Sequence, residues 1–277
     1  MELTDITKAP ELKIAGASGL TNFSVVDASE KPAITPAGIV DSAGRKIAGI
    51  LFPRFLNHNS IEKFIGITQV ETAPVEKQEQ FNGVFGWGPN LWQLQALNNS
   101  HEARESVKQW DNYINSVLPS GVPESILSRL ALVAKKSAVQ RLVSENFTMP
   151  WITLRVMKNG GYLGTHAHME FYQKGMPYAD STELLNLLPG FELSCLLMLQ
   201  NAQSGGRLKL YDAAYPATPD ELAQAVKKEI EMPPGSLLVF DAAHVYHEVT
   251  PVAGSERITA GFWLSYSKDK AELFAWS

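Results

Sequence analysis

Residues 151–170 read WITLRVMKNGGYLGTHAHME, in which two extended segments flank an Asn-Gly pair. The first segment is rich in apolar and β-branched residues, and Asn159-Gly160 is a strong signal for a hairpin turn. The return segment carries His166, His168 and Glu170 at two-residue spacing, so on a strand the three side chains leave from one face. The stretch therefore predicts a β-hairpin whose second strand carries metal-binding groups.

Short strand-like segments continue to the C-terminus, and tight turns separate them. Many short strands with few crossover helices indicate an antiparallel barrel or sandwich. We predict strands within residues 191–200, 207–211, 236–240, 244–249 and 257–267. We predict helices at 100–117, from Pro123 to about Ala134, at 181–188 and at 220–230, with the first two covering one face of a sheet.

The composition of the whole chain excludes several classes of protein. With 277 residues, 45% of them hydrophobic, the chain can bury a large core as one domain. A net charge of -5 argues against a nucleic-acid or anionic-membrane surface. No apolar run approaches the roughly 20 residues of a membrane span. The N-terminus has no signal-peptide pattern, and the single cysteine, Cys195, is typical of a core thiol in a reducing compartment. We therefore expect a cytoplasmic protein.

Histidines are the candidate metal ligands of this chain. His166 and Glu170 are four residues apart, about 13 Å along a strand, which is too far to bind one ion together. His168 can pair with either of them, and His247 from a later strand would complete either set. Spacing favours His168 with Glu170, because a carboxylate offsets the charge of the metal. Two histidines and a carboxylate form the facial triad of Fe(II) oxygenases, whereas three histidines bind Zn²⁺ or an iron whose charge a co-substrate balances.

An arginine and a threonine follow on the next predicted strand. Arg257 offers a permanently charged fork suited to a carboxylate, and Thr259 faces the same way and adds a hydroxyl group. His244 and His247 are three residues apart, so on a strand they face opposite ways and one of them should ligate. The sequence thus predicts a carboxylate-binding site beside a metal site.

These residues resemble those of a known enzyme family. The segment His247-Glu248-Val249-x-Pro251-Val252, with Arg257 ten residues after the histidine, is similar to the distal half of the site in Fe(II)/2-oxoglutarate-dependent dioxygenases. The segment GGRLKLY, residues 205–211, resembles the GGxLxxY strand of their prolyl-hydroxylase-like branch. Within the superfamily, residues 150–277 most resemble the indole-alkaloid halogenases that act on free-standing small molecules. This likeness includes Thr153-Leu154-Arg155, Gly261-Phe262, Ser267-Lys268 and Trp276-Ser277.

The resemblance implies a ligand set that differs from the one favoured by spacing. Those halogenases read Thr-x-Arg, a glycine turn and then His-x-Gly-x-Asp-Phe, which aligns with this chain without a gap. His166 then becomes the first ligand, and His168 stands where hydroxylases have a carboxylate and the halogenases a glycine. The implied metal ligands are His166, His168 and His247, with Glu170 as an alternative ligand or a neighbour of the metal-binding residues.

The resemblance also implies a fold and a set of cofactors. The implied fold is mainly β with α: a double-stranded β-helix, jelly-roll or cupin-like, with helices packed on its major sheet. Residues 1–277 would form a single domain, with 1–145 as an N-terminal extension carrying supporting helices and 146–277 as the core carrying the site. The implied cofactors are Fe(II), 2-oxoglutarate and O₂, with Arg257 and Thr259 holding the distal carboxylate of 2-oxoglutarate.

The histidine at position 168 affects the expected reaction. A glycine there leaves room on the iron for chloride, and His168 removes it. We therefore expect hydroxylation of an unactivated C–H of a small molecule, an amino acid or natural-product intermediate, with formation of succinate and CO₂, rather than halogenation. Two alternatives are a peptide or protein side-chain hydroxylase and a three-histidine metal-binding β-barrel without oxygenase activity.

Overall fold

Two β-sheets of unequal size form the centre of the protein. The computed structural model describes residues 24–69, 78–81, 83–89, 101–143, 148–168, 187–188 and 190–277, with the backbone alone for 78–81 and 103. The helices are α1 (His58–Gln69), α2 (His101–Val117), α3 (Val122–Val133) and α4 (Pro219–Gln224), and a 3-10 turn spans Ala28–Glu30. The strands are β1 (Val25–Asp27), β2 (Ala33–Thr35), β3 (Gly38–Val40), β4 (Gly49–Phe52), β5 (Gln78–Phe81), β6 (Val84–Trp87), β7 (Gln140–Arg141), β8 (Thr153–Met157), β9 (Leu163–His166), β10 (Leu193–Gln200), β11 (Ser204–Gly205), β12 (Leu208–Ala214), β13 (Lys227–Ile230), β14 (Leu237–Phe240), β15 (Val245–Val249), β16 (Val252–Ala253), β17 (Arg257–Tyr266) and β18 (Leu273–Trp276).

The larger sheet has the strand order β1-β4-β14-β10-β17-β8-β6-β5, with β18 and β7 continuing from β17. The smaller sheet has the order β13-β12-β15-β9. Strands β10 and β17 lie in the middle of the larger sheet, and their nearly unbroken apolar sequences match burial on both faces. Four strands that precede residue 90 extend this sheet at both ends, since β4 joins β1 to β14 and β6 joins β5 to β8, whereas β2 and β3 pair with each other.

Two apolar clusters hold these layers together. One lies between the sheets, where Met157 and Met198 of the larger sheet join Leu210 and Val249 of the smaller one. The other lies under the helices, where Trp110 and Leu130 are buried in the same cluster as residues of β10 and β17. The indole N–H of Trp110 also donates to the carbonyl of Ile152 over 2.8 Å, which fixes α2 to the start of β8.

This arrangement is the expected double-stranded β-helix with helices on its larger sheet, and the helices predicted at 100–117 and after Pro123 are confirmed as α2 and α3. The helix predicted at 181–188 falls mostly outside the described residues. No helix in the described ranges is long and apolar enough to cross a membrane.

Two details differ from the prediction. The Asn159-Gly160 turn does not close a hairpin: β8 lies in the larger sheet and β9 in the smaller one, so the turn carries the chain between sheets. Its backbone binds strand β16, with the Gly160 N–H donating to the carbonyl of Val252 over 2.8 Å. The helix predicted at 220–230 ends at Gln224, because Ala225 is extended and residues 227–230 pair with β12 as strand β13.

Candidate metal centre

Neighbouring strands of the smaller sheet bring two of the histidines together. His166 at the end of β9 is the direct partner of His247 on β15, and their ring centroids lie 4.3 Å apart. Residues directly opposite on antiparallel strands project their side chains to the same face. The pairing of β9 with β15 therefore sets this part of the centre without help from loops.

His168 joins them from just beyond the end of β9. Its backbone N–H donates to the carbonyl of Ala242 over 2.9 Å, and its ring lies 5.6 Å from that of His166 and 5.1 Å from that of His247. Potential ligand atoms of the three histidines all lie within 4.8 Å of one another. The structure thus brings together the three histidines implied by the resemblance, whereas Glu170, the ligand favoured by spacing, lies outside the described residues.

His244 does not belong to this cluster. Its Nδ1 lies 3.0 Å from a carboxylate oxygen of Asp241, and its side chain is 38% exposed. One histidine of the 244–247 pair therefore faces the centre and the other does not, as the strand periodicity predicts.

Hydrogen bonds orient the rings. Nδ1 of His166 lies 2.6 Å from the carbonyl of Gly164, and Nδ1 of His247 lies 2.9 Å from the carbonyl of Val245. Because a carbonyl oxygen only accepts, Nδ1 carries the proton in both rings, and Nε2 is the nitrogen that can ligate. Nδ1 of His168 contacts a carboxylate oxygen of Glu192 instead.

The surroundings keep the imidazoles of His166 and His247 neutral. Burial lowers the pKa of His166 to about 4, with the neighbouring His168 adding to the decrease and the Gly164 carbonyl opposing it. Burial also lowers the pKa of His247 well below its ordinary value, and the other two histidines add to this effect. Because a histidine must be deprotonated to bind a metal, these rings are ready to ligate at neutral pH.

The three nitrogens fit a divalent transition metal. Metal–imidazole bonds are about 2.0–2.1 Å long, so a small contraction of the 4.8 Å cluster brings all three nitrogens into bonding range of one ion. Three protein ligands leave further positions for small molecules on an ion that takes six. A centre of this kind can bind a chelating co-substrate and a second reactant.

Arg257 is buried on β17, and it has no carboxylate partner among the described residues. The residue is 2% exposed, and its Nη1 lies 3.7 Å from the sulfur of Met157. Its Nε and Nη2 atoms have no hydrogen-bond partner among the described residues. Burial lowers the pKa of Arg257 to about 9, and the nearby Arg155 adds to the decrease. An unpaired buried charge is costly, so the pocket is suited to an anionic ligand that would complete it.

Arg155 and Thr259 share the face of Arg257. Thr259 is the direct partner of Arg155 across β17 and β8, and Arg257 is the partner of Met157 in the same ladder. Met157 packs between the sheets, so this face looks toward the smaller sheet that carries the histidines. The charge of Arg155 also contributes to lowering the pKa of His166, of His247 and of Arg257.

Sequence reasoning missed the roles of two residues. The sequence predicts no role for Arg155 beyond the Thr153-Leu154-Arg155 likeness, although a charged residue in a mostly apolar strand is a usable signal. Glu192 interrupts the apolar segment 191–199 and is 4% exposed, and a buried acid in such a run was again a usable signal. Its partner His168 could not be read from the sequence, because the two residues lie 24 positions apart.

Comparisons with known proteins identify the family of this chain and its fold. The sequence pattern of a family described as carrier-protein-independent halogenase WelO5 matches residues 20–277. An N-substituted L-amino acid dioxygenase from Burkholderia ambifaria AMMD has a similar structure, with a TM-score of 0.54 at 14% identity over 82% of this chain and 86% of that chain. A structure of such a dioxygenase from the same organism, in complex with alpha-KG, gives a TM-score of 0.50 at 13% identity with the same coverage. At these identities the likeness shows the fold. No curated protein sequence matches.

Proposed function

The chain belongs to the family of the carrier-protein-independent halogenase WelO5, an Fe(II)/2-oxoglutarate enzyme family, and from this premise we propose that it hydroxylates an unactivated C–H of a small molecule. The reaction would convert R–H, 2-oxoglutarate and O₂ to R–OH, succinate and CO₂. One oxygen atom enters the alcohol and the other enters succinate, while 2-oxoglutarate loses its carboxylate as CO₂. Two observations carry this proposal: the three-histidine cluster, and a buried arginine on the opposing sheet for which the described part of the chain supplies no carboxylate partner.

His166, His168 and His247 would hold the metal through their Nε2 atoms. Fe(II) in such a site supplies open coordination positions for a 2-oxo acid and O₂, and hence oxidising power toward a C–H bond. Three neutral histidines leave the two positive charges of the ion uncompensated. A 2-oxoglutarate dianion would balance both charges. In the usual facial triad a carboxylate ligand of the protein balances one of them.

The arginine pocket supports 2-oxoglutarate as that anion. Arg257 would pair with its distal carboxylate through a forked hydrogen bond, and Thr259 would add a hydroxyl bond from the same face. Arg155, the cross-strand partner of Thr259, would attract the second negative charge. Residues 146–277 would form the catalytic core, and residues 1–145 would support it from within the same domain.

Hydroxylation is proposed over halogenation because of His168. Its ring points into the cluster, where a smaller residue would leave space for a halide on the metal. Halogenation is the second candidate, and the family match favours it. A halogenase must bind a halide to the metal, so the two candidates make opposite predictions about chloride.

The test is succinate formation by the purified protein with Fe(II), 2-oxoglutarate, O₂ and panels of free amino acids, natural-product intermediates and peptides, with and without chloride. We expect substrate-dependent succinate and a product heavier by one oxygen, whatever the chloride concentration. A chlorinated product would favour the second candidate. Turnover of peptides alone would favour a peptide hydroxylase, and metal binding without any succinate would leave a metal-binding barrel.

A further inference from the structure

A buried carboxylate that no ligand assignment includes touches the metal centre. Glu192 is 4% exposed and directly precedes β10, the central strand of the larger sheet. Its Oε1 contacts Nδ1 of His168, and the side chain of His168 is 14% exposed. Burying a carboxylate is costly unless it is paired and hydrogen-bonded, so the contact with His168 offsets the cost of burying Glu192.

The three histidines differ in what binds their Nδ1 atoms. His166 and His247 donate to neutral backbone carbonyls, whereas His168 faces an anion. A carboxylate on the far side of a metal-binding histidine fixes the ring orientation and raises the basicity of the ligating nitrogen. His168 therefore differs from His166 and His247, because its Nδ1 contacts a carboxylate.

Backbone hydrogen bonds hold the pair in place. The N–H of His168 donates to the carbonyl of Ala242 over 2.9 Å, and the N–H of Ala243 donates to the carbonyl of Glu192 over 3.3 Å. Both residues of the pair are thus tied to the turn that leads into β15, which carries His247. The pair and the third ligand form one connected unit, and so the geometry does not depend on a surface loop.

We propose that Glu192 is a positioning residue for the metal centre. Acting through His168, Glu192 supplies the negative charge that three neutral histidines lack. This inference rests on the proposed metal-binding function. The sequence places His168 where hydroxylases have a carboxylate ligand. Glu192 supplies a carboxylate behind that histidine, through its contact with Nδ1 of His168. The charge of Glu192 stabilises the ion before the co-substrate arrives, and its hydrogen bond keeps Nε2 of His168 directed at the ion.

The experiment is an anaerobic Fe(II) titration against a competing chromophoric chelator, for the wild-type protein and Glu192→Gln. Glutamine keeps the shape of the side chain and removes its charge. We expect the affinity for Fe(II) to fall by about 10- to 100-fold, the range for loss of such a partner. The Fe(III)/Fe(II) potential should rise, and the optical band of the Fe(II)–2-oxoglutarate chelate should move to higher energy, because less negative charge lies near the metal.

Glu248→Gln is the matched control. Glu248 follows the ligand His247 on β15, but its carboxylate accepts hydrogen bonds from Tyr211 and Thr165, away from the cluster. Its replacement should leave the Fe(II) affinity unchanged. In a His168→Ala background, Glu192→Gln should have no further effect, because the charge acts through that ring.

Several outcomes would overturn the inference. Equal Fe(II) affinity in the wild type and Glu192→Gln would overturn the inference about Glu192 and leave the proposed function intact. The same conclusion would follow if Glu192→Gln lowered the Fe(II) affinity as strongly in the His168→Ala background. Wild-type protein that binds no Fe(II) would overturn both. Glu192→Asp keeps the charge, so it should recover most of the Fe(II) affinity and restore the Fe(III)/Fe(II) potential. This variant provides the test if the Glu192→Gln protein does not fold. No recovery with aspartate would show that the shape of the side chain matters and its charge does not.

Discussion

His166 and His247 stand directly opposite each other across β9 and β15, although they lie far apart in the sequence. The strand ladder that joins them therefore creates the metal centre, and His168 completes it from the next backbone turn. Arg257, Thr259 and Arg155 project from the opposing sheet toward the same space. The three histidines thus lie on or beside one sheet, and the two arginines and the threonine lie on the other, which is the arrangement that the proposed reaction would use.

Arg257→Met should separate stability from ligand binding. Removing a buried, unpaired charge should leave the ligand-free protein as stable as the wild type or more stable, because methionine has no charge to desolvate. The variant should lose the stabilisation by 2-oxoglutarate, which is about 2.7 kcal/mol for a ligand at about 100 times its Kd. Thermal unfolding with Fe(II), without O₂, measures both effects.

The exposed Arg207 provides the control, since Arg207→Met removes an arginine from the surface. That variant should keep the full stabilisation by 2-oxoglutarate. An Arg257→Met protein that retained the shift would show that the co-substrate binds elsewhere.

His168→Gly should give the metal a position that can accept a halide. In the wild type the ring of His168 takes this position, so the optical band of the Fe(II)–2-oxoglutarate complex should not respond to chloride. In the variant, chloride should shift the band, and overall Fe(II) affinity should fall because one ligand is lost. Titration with chloride, using sulfate at equal ionic strength as the control, measures the response. A chloride-dependent shift in the wild type would count against hydroxylation.

Glu248 should add stability that depends on pH. Partial burial raises the pKa of Glu248, but hydrogen bonds from Tyr211 and Thr165 outweigh it, and the net pKa lies below the ordinary 4.5. A folded-state pKa below the unfolded value means that the unfolded chain binds more protons as the pH falls. The stabilisation is therefore present above about pH 4.5 and is lost as the pH falls through the folded-state pKa.

Urea unfolding of the wild type and Glu248→Gln should reveal this dependence. The variant should be less stable at neutral pH, and the difference between the two proteins should shrink at acid pH. A difference that stayed constant across this range would show that the effect is not linked to the carboxylate proton.

Gly88→Ala should destabilise the contact between α2 and the larger sheet. Gly88 has a φ of +95°, and an added Cβ would lie 2.5 Å from a ring carbon of Trp110. That ring is rigid and is held by its hydrogen bond to Ile152, so it cannot move without cost. We expect a loss of about 1–3 kcal/mol in the free energy of unfolding. Gly44→Ala, also at positive φ but with open space around it, is the control for backbone strain alone.

Much of the site was predictable because its ligands fall on short-range patterns. His166, His168 and Glu170 stand at two-residue spacing, which alone favours Glu170 over His166 as the partner of His168, and the family likeness reverses that preference. Arg257 follows His247 by ten residues, so the sequence places both in the same region of the site. The sheet pairing was less predictable. The Asn159-Gly160 signal fixes a turn but does not determine which strands pair, and here the chain changes sheets at that turn.

The contributions of Arg155 and Glu192 depend on contacts between distant parts of the chain. Arg155 reaches the pocket only through its register with Thr259, and Glu192 reaches His168 through the packing of β10 against the turn before β15. A single sequence contains no signal for either register or packing at that distance. Their burial, once the fold is known, identifies both.

An anaerobic titration with Fe(II), followed by 2-oxoglutarate, tests the metal centre most directly. The wild-type protein should bind one Fe(II) per chain and then develop the optical band of a 2-oxo acid chelated to iron. His166→Ala and His247→Ala should lose this band, whereas His244→Ala, which alters a histidine outside the cluster, should keep it. A wild-type protein without the band, or a band that survived both ligand substitutions, would contradict the account.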